Sequence, residues 1–438
     1  MNLSFKNKKI TLMGLGLMGG GVADALFFIK EGANLTITDL RDEKELKPSV
    51  EKIKKYLNKI QAKNKPVVHW VLGEHRKKDF IQADLIIKNP GVPNDSPYLK
   101  IAREAGVKID MTSGIFFELA NTSKLIAVTG TKGKSTTAAL IHRVLKFKYP
   151  NAYIAGLPGM PLMDKAKNAE KNWGVIELSS WQLEGINKHK KNAHIAVLTN
   201  IAEDHLNRHK NFEQYKNAKK IMYLYQNPTD YLVAHSSLKK DTNDAPSQKI
   251  YYSQTKLKDT STMLHPQNIA ATLKVVDILN IDKSKAIDTI KQFRGLEGRL
   301  EYVGDIKGIR VYNDTTATNP YATIESLKHF ADKKVALILG GKDKGLNYNK
   351  LSNIIKGIYF IALLPGSASD KILLEIQNKK QKGEIEQVKD LKEAVEECVK
   401  SNPDIILLSP AAASFNMFKN EFERGKKFKK IINKFNGS

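Results

Sequence analysis

The chain has 438 residues, 41% of them hydrophobic and 27% charged, which is the composition of an ordinary globular protein of about two to four domains. Its single cysteine, Cys398, excludes an intrachain disulfide and any zinc site built from several cysteines. The net charge of +25 invites a nucleic-acid interpretation. However, the lysines are spread along the whole chain without interleaved aromatic residues, which favours a solvated surface and no nucleic-acid partner.

The N-terminal run from Ile10 to Ile29 is apolar enough to resemble a secretory signal. Asp24 and five glycines interrupt it, so a strand, a loop and a helix explain the run better. No other stretch approaches the roughly 18 apolar residues of a membrane span. We therefore predict a cytoplasmic protein that does not insert into a membrane.

The first segment alternates short apolar runs with helical stretches, a pattern typical of buried parallel strands in a doubly wound α/β domain. Its strands are predicted at Lys9–Met13, Asn34–Thr38, Val67–Leu72, Leu85–Lys88 and Val107–Ile109. The loop Gly14–Gly19 resembles a dinucleotide-binding fingerprint, and Asp39 stands where its ribose partner is expected. This pattern fits an NAD(P)-dependent dehydrogenase, or a Rossmann-like module that binds another nucleotide. Nothing downstream resembles a hydride-transfer site, which favours the second interpretation.

The remaining two segments show the same alternation of strands and helices. The second starts near Met111, with helices predicted at 135–146 and 266–279 and strands at 125–128, 174–178, 194–199 and 230–234. The third opens near Arg299, with strands predicted at 310–313, 335–339, 358–364 and 404–408.

The strongest local motif is the run Gly130–Thr136, which follows a strand and opens a helix like the tail of a P-loop. Glycines let backbone N–H groups approach phosphate oxygens, and the helix N-terminus favours negative charge. Lys134 supplies a cation for the phosphates, and a hydroxyl of Ser135 or Thr136 can reach Mg²⁺. The upstream glycine of the usual pattern is replaced by Val128, so this is a variant. An ordinary glycine turn before a helix would explain the run without a ligand.

Two further polar runs follow predicted strands. Glu177 ends one strand, and His205 follows the next one after the run from Thr199. Ligands gather at the carboxyl ends of strands in open α/β sheets, so both side chains can face the P-loop and bind nucleotide-linked metal. His209 lies four residues after His205, but no HExxH pattern accompanies it, which argues against a zinc helix.

Three runs resemble the Mur ligases of peptidoglycan synthesis: Gly130–Thr136, Glu177–Glu184 and Asn200–His205. The runs Glu203–His209 and Leu408–Ser414 strengthen the resemblance. The resemblance covers essentially the whole chain, in order. It implies an α/β protein of three domains: an N-terminal Rossmann-like domain at 1–110 that binds a UDP substrate, a central P-loop ATPase-type domain with a mostly parallel sheet at 111–298, and a C-terminal Rossmann-like domain at 299–438 that binds the incoming amino acid.

The resemblance also implies the chemistry. The carboxylate of UDP-N-acetylmuramoyl-L-alanine attacks the γ-phosphate of ATP, and the amine of glutamate then displaces phosphate from the acyl phosphate. ATP and two Mg²⁺ ions are the implied cofactors, with Lys219 carbamylated to build the second magnesium site. Without the resemblance, a solvated helix charge is the stronger interpretation of Lys219. A monomer is expected.

Motif matches to the family assign the remaining site residues. The implied ATP contacts are Gly130, Thr131, Lys132, Gly133, Lys134, Ser135, Thr136, Asn268, Arg299 and Asp314. The implied metal ligands are Ser135, Glu177, His205 and Lys219, and the implied catalytic residues are Lys134, His205 and Lys219. The implied UDP-substrate contacts are Leu17, Met18, Asp39, Arg41, Asn89, Gly91, Ser179 and Gln182. Thr318, Lys344 and Ser414 match positions near the incoming amino acid.

The sequence departs from the family pattern in several places. Thr316 stands where many members have a lysine, and Leu157 replaces an expected asparagine. The run 265–268 is one residue shorter than usual, and the aromatic of the run 420–423 is displaced by one residue. The first and last departures lie near the amino-acid pocket, so D-glutamate is expected while L-glutamate stays open. A Mur-type ligase that adds another amino acid, a folylpolyglutamate synthase-like ligase and a nucleotide-sensing binding protein also stay open.

Overall fold

In the computed structural model, the described residues are 4–17, 19–61, 66–202, 211–257, 264–293, 295–343, 346–377, 383–414 and 417–436. They form three sheets with flanking helices, divided between two compact units. One unit contains the described residues up to 257 together with 265–290, and the other contains those from 291 to 436. Among the helices in those ranges, none combines the length and the apolar character that crossing a bilayer requires.

The first sheet has five parallel strands in the order β3-β2-β1-β4-β5. The strands are β1 (Lys9–Met13), β2 (Asn34–Asp39), β3 (Val68–Leu72), β4 (Leu85–Lys88) and β5 (Lys108–Asp110). The helices are α1 (Gly20–Lys30), α2 (Glu43–Leu57), α3 (Lys77–Ile81), α4 (Pro97–Glu104) and α5 (Thr112–Leu119). The order reverses direction on either side of β1, so the loop after β1 opens into the crevice where doubly wound sheets bind ligands.

The second sheet has six parallel strands in the order β11-β10-β9-β6-β8-β7. The strands are β6 (Leu125–Thr129), β7 (Tyr153–Ala155), β8 (Gly174–Glu177), β9 (Ile195–Leu198), β10 (Tyr231–His235) and β11 (Gln248–Tyr252). The helices are α6 (Lys134–Leu145), α7 (Ala166–Ala169), α8 (Ser180–Asn187), α9 (Phe212–Lys220), α10 (Pro266–Ile278) and α11 (Lys283–Lys291). Strands β9, β6 and β8 are central and wholly buried, so their carboxyl ends bring three loops together.

The third sheet has six strands in the order β12-β13-β17-β14-β15-β16, and only β12 runs antiparallel to its neighbour. The strands are β12 (Glu301–Ile306), β13 (Ile309–Asn313), β14 (Val335–Gly340), β15 (Phe360–Leu364), β16 (Glu384–Gln387) and β17 (Ile405–Leu408). The helices are α12 (Pro320–Leu327), α13 (Asn349–Ile355), α14 (Ser367–Gln377), α15 (Leu391–Lys400) and α16 (Glu421–Asn436).

Alternation along the strands of the third sheet divides its apolar residues between two cores. Leu337 and Leu339 of β14 enter one cluster, whereas Ala336 and Ile338 enter the other. Successive side chains of a strand point to opposite faces, so a strand covered on both sides is a continuous apolar run. The predicted α/β class is confirmed, and every predicted strand is present with its ends within two residues of the expected positions.

Candidate active site

The phosphate-binding loop lies between the buried strand β6 and helix α6, as the motif predicts. Gly130 has φ 148° and Gly133 has φ 78°, a left-handed backbone that favours glycine. A Cβ at Gly130 would lie 1.9 Å from Thr199 Oγ1, and a Cβ at Gly133 would lie 2.5 Å from Asn268 Oδ1. Both glycines are therefore required by conformation and by space. The second contact also places the predicted ATP residue Asn268 against the loop.

The end of strand β9 holds this loop in shape. Asn200 receives a hydrogen bond from the Lys132 amide at 2.9 Å through Oδ1 and donates from Nδ2 to the Lys132 carbonyl at 3.0 Å. Thr199 donates from Oγ1 to the same carbonyl at 2.6 Å, and the Thr131 amide donates to Asn200 O at 2.9 Å. Sequence reasoning singled out this run but gave Asn200 no role. The available signal was an asparagine directly after the strand predicted at 194–199.

Lys134 begins helix α6, where the N-terminal amides and the helix dipole favour an anion. Its Nζ donates to the Thr131 carbonyl, 3.0 Å away, so the ammonium is folded back over the loop. Lys132 lies in the same loop, and Thr136 lies in the first turn of α6. Together these groups form a cationic cradle suited to the phosphates of a nucleotide.

The buried oxygens without a hydrogen-bond partner in the described part of the chain include Ser135 Oγ and Glu177 Oε2 beside the loop, and also Thr137 Oγ1 in the first turn of α6. Ser135 and Glu177 are among the predicted metal ligands, and both side chains are almost wholly buried. Glu177 lies directly opposite Val128 in the pairing of β8 with β6, one residue before the end of β6. Buried oxygens are rarely left unpaired, and a hydroxyl with a carboxylate is a suitable partial ligand set for Mg²⁺. The residues present therefore fit the ion.

No cluster of three or more His, Cys, Asp or Glu side chains that could hold a metal occurs within the described ranges. The predicted ligand His205 lies outside those ranges, as does His209.

Lys219 is 1% exposed and lies under the loop. Its Nζ donates to the Gly130 carbonyl at 2.8 Å and is 4.7 Å from the centroid of the Tyr215 ring. The Tyr215 hydroxyl lies 3.1 Å from Thr131 Oγ1, which also bonds to the backbone of Ala202. Helix α9 is therefore tied to the loop at two points. Sequence reasoning gave Tyr215 no such role, because an aromatic residue on a lysine-rich helix gives no signal for this contact.

The N-terminal fingerprint loop is organised around Asp39. Asp39 accepts a hydrogen bond from the Gly16 amide at 3.1 Å, and Arg41 binds both of its carboxylate oxygens. Burial alone would raise the pKa of Asp39, but the hydrogen bonds from Arg41 and Gly16 outweigh it and hold that pKa below its ordinary value. This carboxylate is therefore ionised at neutral pH. Leu17 is 43% exposed beside it, and the predicted contact Met18 lies outside the described residues.

Asn89 closes the other side of the same loop. A Cβ at Gly14 would lie 2.9 Å from the Asn89 Cβ, so the two backbones approach closely only because residue 14 is glycine. The Asn89 side chain accepts from the Gly91 amide at 3.0 Å, forming a tight turn. The structure thus brings Asp39, Arg41, Asn89 and Gly91 around one loop.

Ser179 and Gln182 form a reciprocal capping box at the start of α8. Gln182 Oε1 accepts from the amide and the hydroxyl of Ser179, both at 2.9 Å, and Ser179 Oγ accepts from the Gln182 amide at 3.2 Å. These two predicted substrate contacts therefore also fix the helix that begins three residues after Glu177.

In the third sheet, Asp314 follows β13 and is buried. Burial raises its pKa to about 6, against hydrogen bonds from Ser326, Ser409 and the Leu300 amide that favour the ionised form. The neighbouring predicted residue Arg299 pairs with Leu296 in an isolated bridge. A carboxylate held this firmly, at the carboxyl end of a strand, is suited to bind a polar ligand group.

Two segments of the third sheet adjoin at the predicted amino-acid site. The amide of Ala411 donates to the carbonyl of Ala317 at 2.9 Å, which sets the segment of Ser414 beside that of Thr318. Ser414 Oγ is buried and has no hydrogen-bond partner among the described residues. Thr316 donates to the Gly298 carbonyl at 2.8 Å, so this departure from the family pattern has a role within the fold. Lys344 lies outside the described residues.

Comparison with known proteins gives matches along most of the chain. Three family models match, described as Mur ligase MurD-like N-terminal domain at residues 8–110, Mur ligase middle domain at 128–293 and Mur ligase glutamate ligase domain at 298–412. A UDP-N-acetylmuramoylalanine–D-glutamate ligase of Borreliella afzelii is 34% identical, with 98% of each chain covered. A protein of the same name from Roseiflexus is 31% identical over 99% of this chain and 100% of its own. Among solved structures, UDP-N-acetylmuramate-alanine ligase of Thermotoga maritima shares the fold, with a TM-score of 0.59, 20% identity, and coverage of 98% of this chain and 100% of its own.

Proposed function

The chain belongs to the Mur ligase family, and from this premise we propose that it joins D-glutamate to UDP-N-acetylmuramoyl-L-alanine, with conversion of ATP to ADP and phosphate. It is an ATP-dependent ligase of peptidoglycan precursor synthesis. The observation that carries the proposal is the full-length similarity to relatives named for this reaction, together with a phosphate-binding loop flanked by the unpaired oxygens of Ser135 and Glu177. Domain boundaries at 1–110, 111–298 and 299–438, a monomeric state and a cytoplasmic location complete the proposal.

The reaction divides one difficult acyl transfer into two steps. An oxygen of the alanine carboxylate attacks the γ-phosphorus of ATP, a P–O bond forms, and the bond to the β-phosphate oxygen breaks to release ADP. The glutamate amine then attacks the carbonyl carbon of the acyl phosphate, loses a proton, and inorganic phosphate leaves. Activation is needed because a free carboxylate is a poor acyl donor.

We assign ATP binding to the loop Gly130–Thr136 and to Asn268, with Arg299 and Asp314 serving the nucleotide from the third domain. Lys134 is the principal cation for the transferring phosphoryl group. Charge develops on the phosphoryl oxygens in the transition state, so a preorganised ammonium and the amides at the start of α6 stabilise that state more than the ground state.

Mur ligases use Mg²⁺, and we assign its ligands to Ser135, Glu177, His205 and Lys219. When bound, the ion neutralises charge on the phosphate oxygens of ATP. The assignment rests on the two unpaired oxygens at Ser135 and Glu177. The second magnesium site needs an anionic oxygen close to Lys219. The one carboxylate of α9, that of Glu213, is exposed and lies 3.5 Å from Lys216 Nζ. The residues between Glu213 and Ala218 supply none, namely Gln214, Tyr215, Lys216 and Asn217.

Carbamylation of Lys219 would supply that oxygen. The ammonium first loses a proton. Carbon dioxide then adds to the neutral amine, an N–C bond forms and a second proton leaves, so the side chain changes from a cation to a carboxylate-like anion. The carbamate keeps one N–H, which can still donate to the carbonyl of Gly130, 2.8 Å from Nζ.

We assign the UDP substrate to the N-terminal loop, through Leu17, Met18, Asp39, Arg41, Asn89 and Gly91, with Ser179 and Gln182 nearer the reacting end. A UDP group suits this loop, because positive-φ glycines expose backbone amides for the pyrophosphate and Asp39 holds the Gly16 amide and Arg41 in place around the loop. Thr318, Lys344 and Ser414 are assigned to the incoming amino acid. The unpaired hydroxyl of Ser414 supports a polar ligand there.

A phosphate-release panel tests the proposal. The purified protein is incubated with UDP-N-acetylmuramoyl-L-alanine, ATP and Mg²⁺, and with D-glutamate, L-glutamate, D-aspartate or a diamino acid in separate arms. A further arm offers a reduced folate with L-glutamate. Mass spectrometry of the product confirms the new amide, and Lys134→Ala reports any contaminating phosphatase.

We expect phosphate release and a new amide only with D-glutamate. Turnover with L-glutamate alone would transfer the assignment to an L-glutamate ligase, and turnover in the folate arm would transfer it to the folylpolyglutamate class. Binding of nucleotide without turnover in any arm would favour a sensor.

A further inference from the structure

Arg424, in the first turns of α16, is 1% exposed and is one of the largest wholly buried side chains of the protein. Its guanidinium donates to three oxygen atoms of other segments. Nε donates to Thr315 Oγ1 at 3.0 Å, Nη2 donates to Thr315 O at 2.8 Å, and both Nη1 and Nη2 lie 3.4 Å from Ala412 O. All three acceptors are uncharged, and no ion pair of Arg424 with an acidic group occurs among the described residues.

A guanidinium buried without a carboxylate is costly, because its charge leaves water without an opposite charge in exchange. Burial lowers the pKa of Arg424 to about 10, partly opposed by the charge of Glu421, so the group stays protonated at neutral pH. A methionine or leucine would fill the same space without that penalty. The planar fork of arginine must therefore supply something an apolar side chain cannot, namely several directed hydrogen bonds at once.

The acceptors lie in the two segments assigned to the amino-acid acceptor. Thr315 precedes Thr318 by three residues in the loop after β13, and Ala412 precedes Ser414 by two residues in the segment after β17. A single rigid group thus spans both segments. The amide of Ala411, bonded to the carbonyl of Ala317, is a second link between them.

Helix α16 is seated on the same loop by two further contacts. Thr315 Oγ1 donates to the carbonyl of Glu421 at 2.8 Å, so this hydroxyl both accepts from Arg424 and holds the start of the helix. Gly425 allows the close approach, since a Cβ there would lie 2.7 Å from Thr315 Cγ2. Arg424 is therefore held at its backbone, through helix α16, and at its guanidinium, through Thr315 and Ala412.

We propose that Arg424 is a positioning residue for the amino-acid acceptor, which sets the separation of the Thr318 and Ser414 segments by bonding to Thr315 and Ala412. At 1% exposure the guanidinium has no surface to offer a ligand, so it acts through those segments and not by touching the acceptor. This inference rests on the proposed function, because it assumes that Thr318 and Ser414 face the amino acid.

Steady-state kinetics of variants tests the proposal. Arg424→Lys keeps the positive charge but cannot reach three oxygens with fixed geometry, and Thr315→Val removes the hydroxyl that accepts from Arg424. Thr315→Ser keeps that hydroxyl and is the matched control. Lys429→Gln is the control for α16 itself, because it removes the contacts of Lys429 with Glu297 and Glu301 at 2.9 and 3.0 Å and leaves Arg424 intact.

For Arg424→Lys and Thr315→Val we expect the KM for the amino acid to rise at least tenfold. The KM values for ATP and for the UDP substrate should stay within twofold, as should all three values for Thr315→Ser and Lys429→Gln. A common loss across all three substrates, a fall in Tm alone, or an unchanged KM for the amino acid would each overturn the proposal.

Two readouts keep the inference separate from the proposed function. If Arg424→Lys does not fold, Thr315→Val against Thr315→Ser gives the decision. Failure of the proposed function appears in the wild type, as absence of turnover with D-glutamate. If the wild type accepts another amino acid, the same comparison of KM values with that acceptor decides the role of Arg424.

Discussion

The side-chain nitrogen of Lys219 donates a hydrogen bond to the carbonyl oxygen of Gly130, 2.8 Å away, which ties helix α9 to the first residue of the phosphate-binding loop. The nitrogen also faces the ring of Tyr215. An ammonium suits both contacts, and a carbamate retains the N–H needed for the first. The two forms differ in charge, so chemical rescue can distinguish them.

Lys219→Ala should be nearly inactive, and acetate or formate should restore a measurable part of its turnover. A short carboxylate can occupy the space that the carbamate would fill and supply the missing anionic oxygen. The same additives should not revive Lys134→Ala, which is the control. Revival of Lys219→Ala by short alkylamines and not by carboxylates would show that Lys219 acts as a cation.

Lys134→Ala should abolish ATP turnover while the fold is kept. The loss of the phosphate-cradling charge should remove several kcal/mol of transition-state stabilisation, which corresponds to roughly a hundredfold or more in kcat. Lys146→Ala, an exposed lysine at the far end of the same helix, is the matched control and should keep full activity. Phosphate release measures both variants, and circular dichroism confirms folding. Retention of more than about a tenth of wild-type turnover would falsify the P-loop assignment.

The N-terminal loop should bind the UDP substrate without ATP and should show no saturable binding of NADH. Asp39→Ala should weaken binding of the UDP substrate by about tenfold or more. The substitution removes the carboxylate that accepts hydrogen bonds from Gly16 and Arg41 and so shapes the loop. Glu51→Gln, on the exposed side of α2, is the control and should bind normally. Isothermal titration calorimetry measures each affinity. Micromolar NADH binding would favour the dehydrogenase-like interpretation instead.

Most of the strands predicted from the sequence are central strands of their sheets. The four edge strands of the second and third sheets were not predicted: β7, β11, β12 and β16. A central strand is buried on both faces and appears as an apolar run, such as Ile405–Leu408. An edge strand has a solvated side, and Glu384–Gln387 has three exposed residues of four. Such a segment forms a strand only because its neighbour pairs with it.

The residues of the candidate site also fall into those that the sequence could reveal and those that it could not. Residues in a local motif, such as Lys134 and Glu177, were found because their spacing relative to a strand is visible in the chain. Tyr215 and Arg424 were missed because their partners are 84 and 109 residues away in sequence, at Thr131 and Thr315. On a lysine-rich helix, a buried arginine has the same sequence signature as a solvated one. Only the packing of α16 against the sheet distinguishes them.

Asp24, whose charge argued against a secretory signal, is itself a buried acid. It is 6% exposed in α1 and accepts a hydrogen bond from the hydroxyl of Thr112 at 3.2 Å. Burial raises its pKa to about 7, with a small further rise from the charge of Asp164. The folded protein therefore holds a proton on Asp24 between about pH 4 and 7, where the unfolded chain does not.

Stability must fall as pH rises through that range, since the folded state binds more protons than the unfolded one. The stability that protonated Asp24 contributes to the folded state is fully present below about pH 4 and is lost above the folded pKa. It amounts to about 4 kcal/mol in total, at ~1.4 kcal/mol per pKa unit.

Asp24→Asn keeps an acceptor for Thr112 and cannot ionise. Its Tm should therefore change less than that of the wild type between pH 5 and pH 8, and should exceed the wild-type Tm at pH 8. Asp288→Asn, which removes an exposed carboxylate from the same compact unit, is the control and should follow the wild type. Parallel Tm profiles for Asp24→Asn and the wild type across this range would show that Asp24 is ionised in the folded protein.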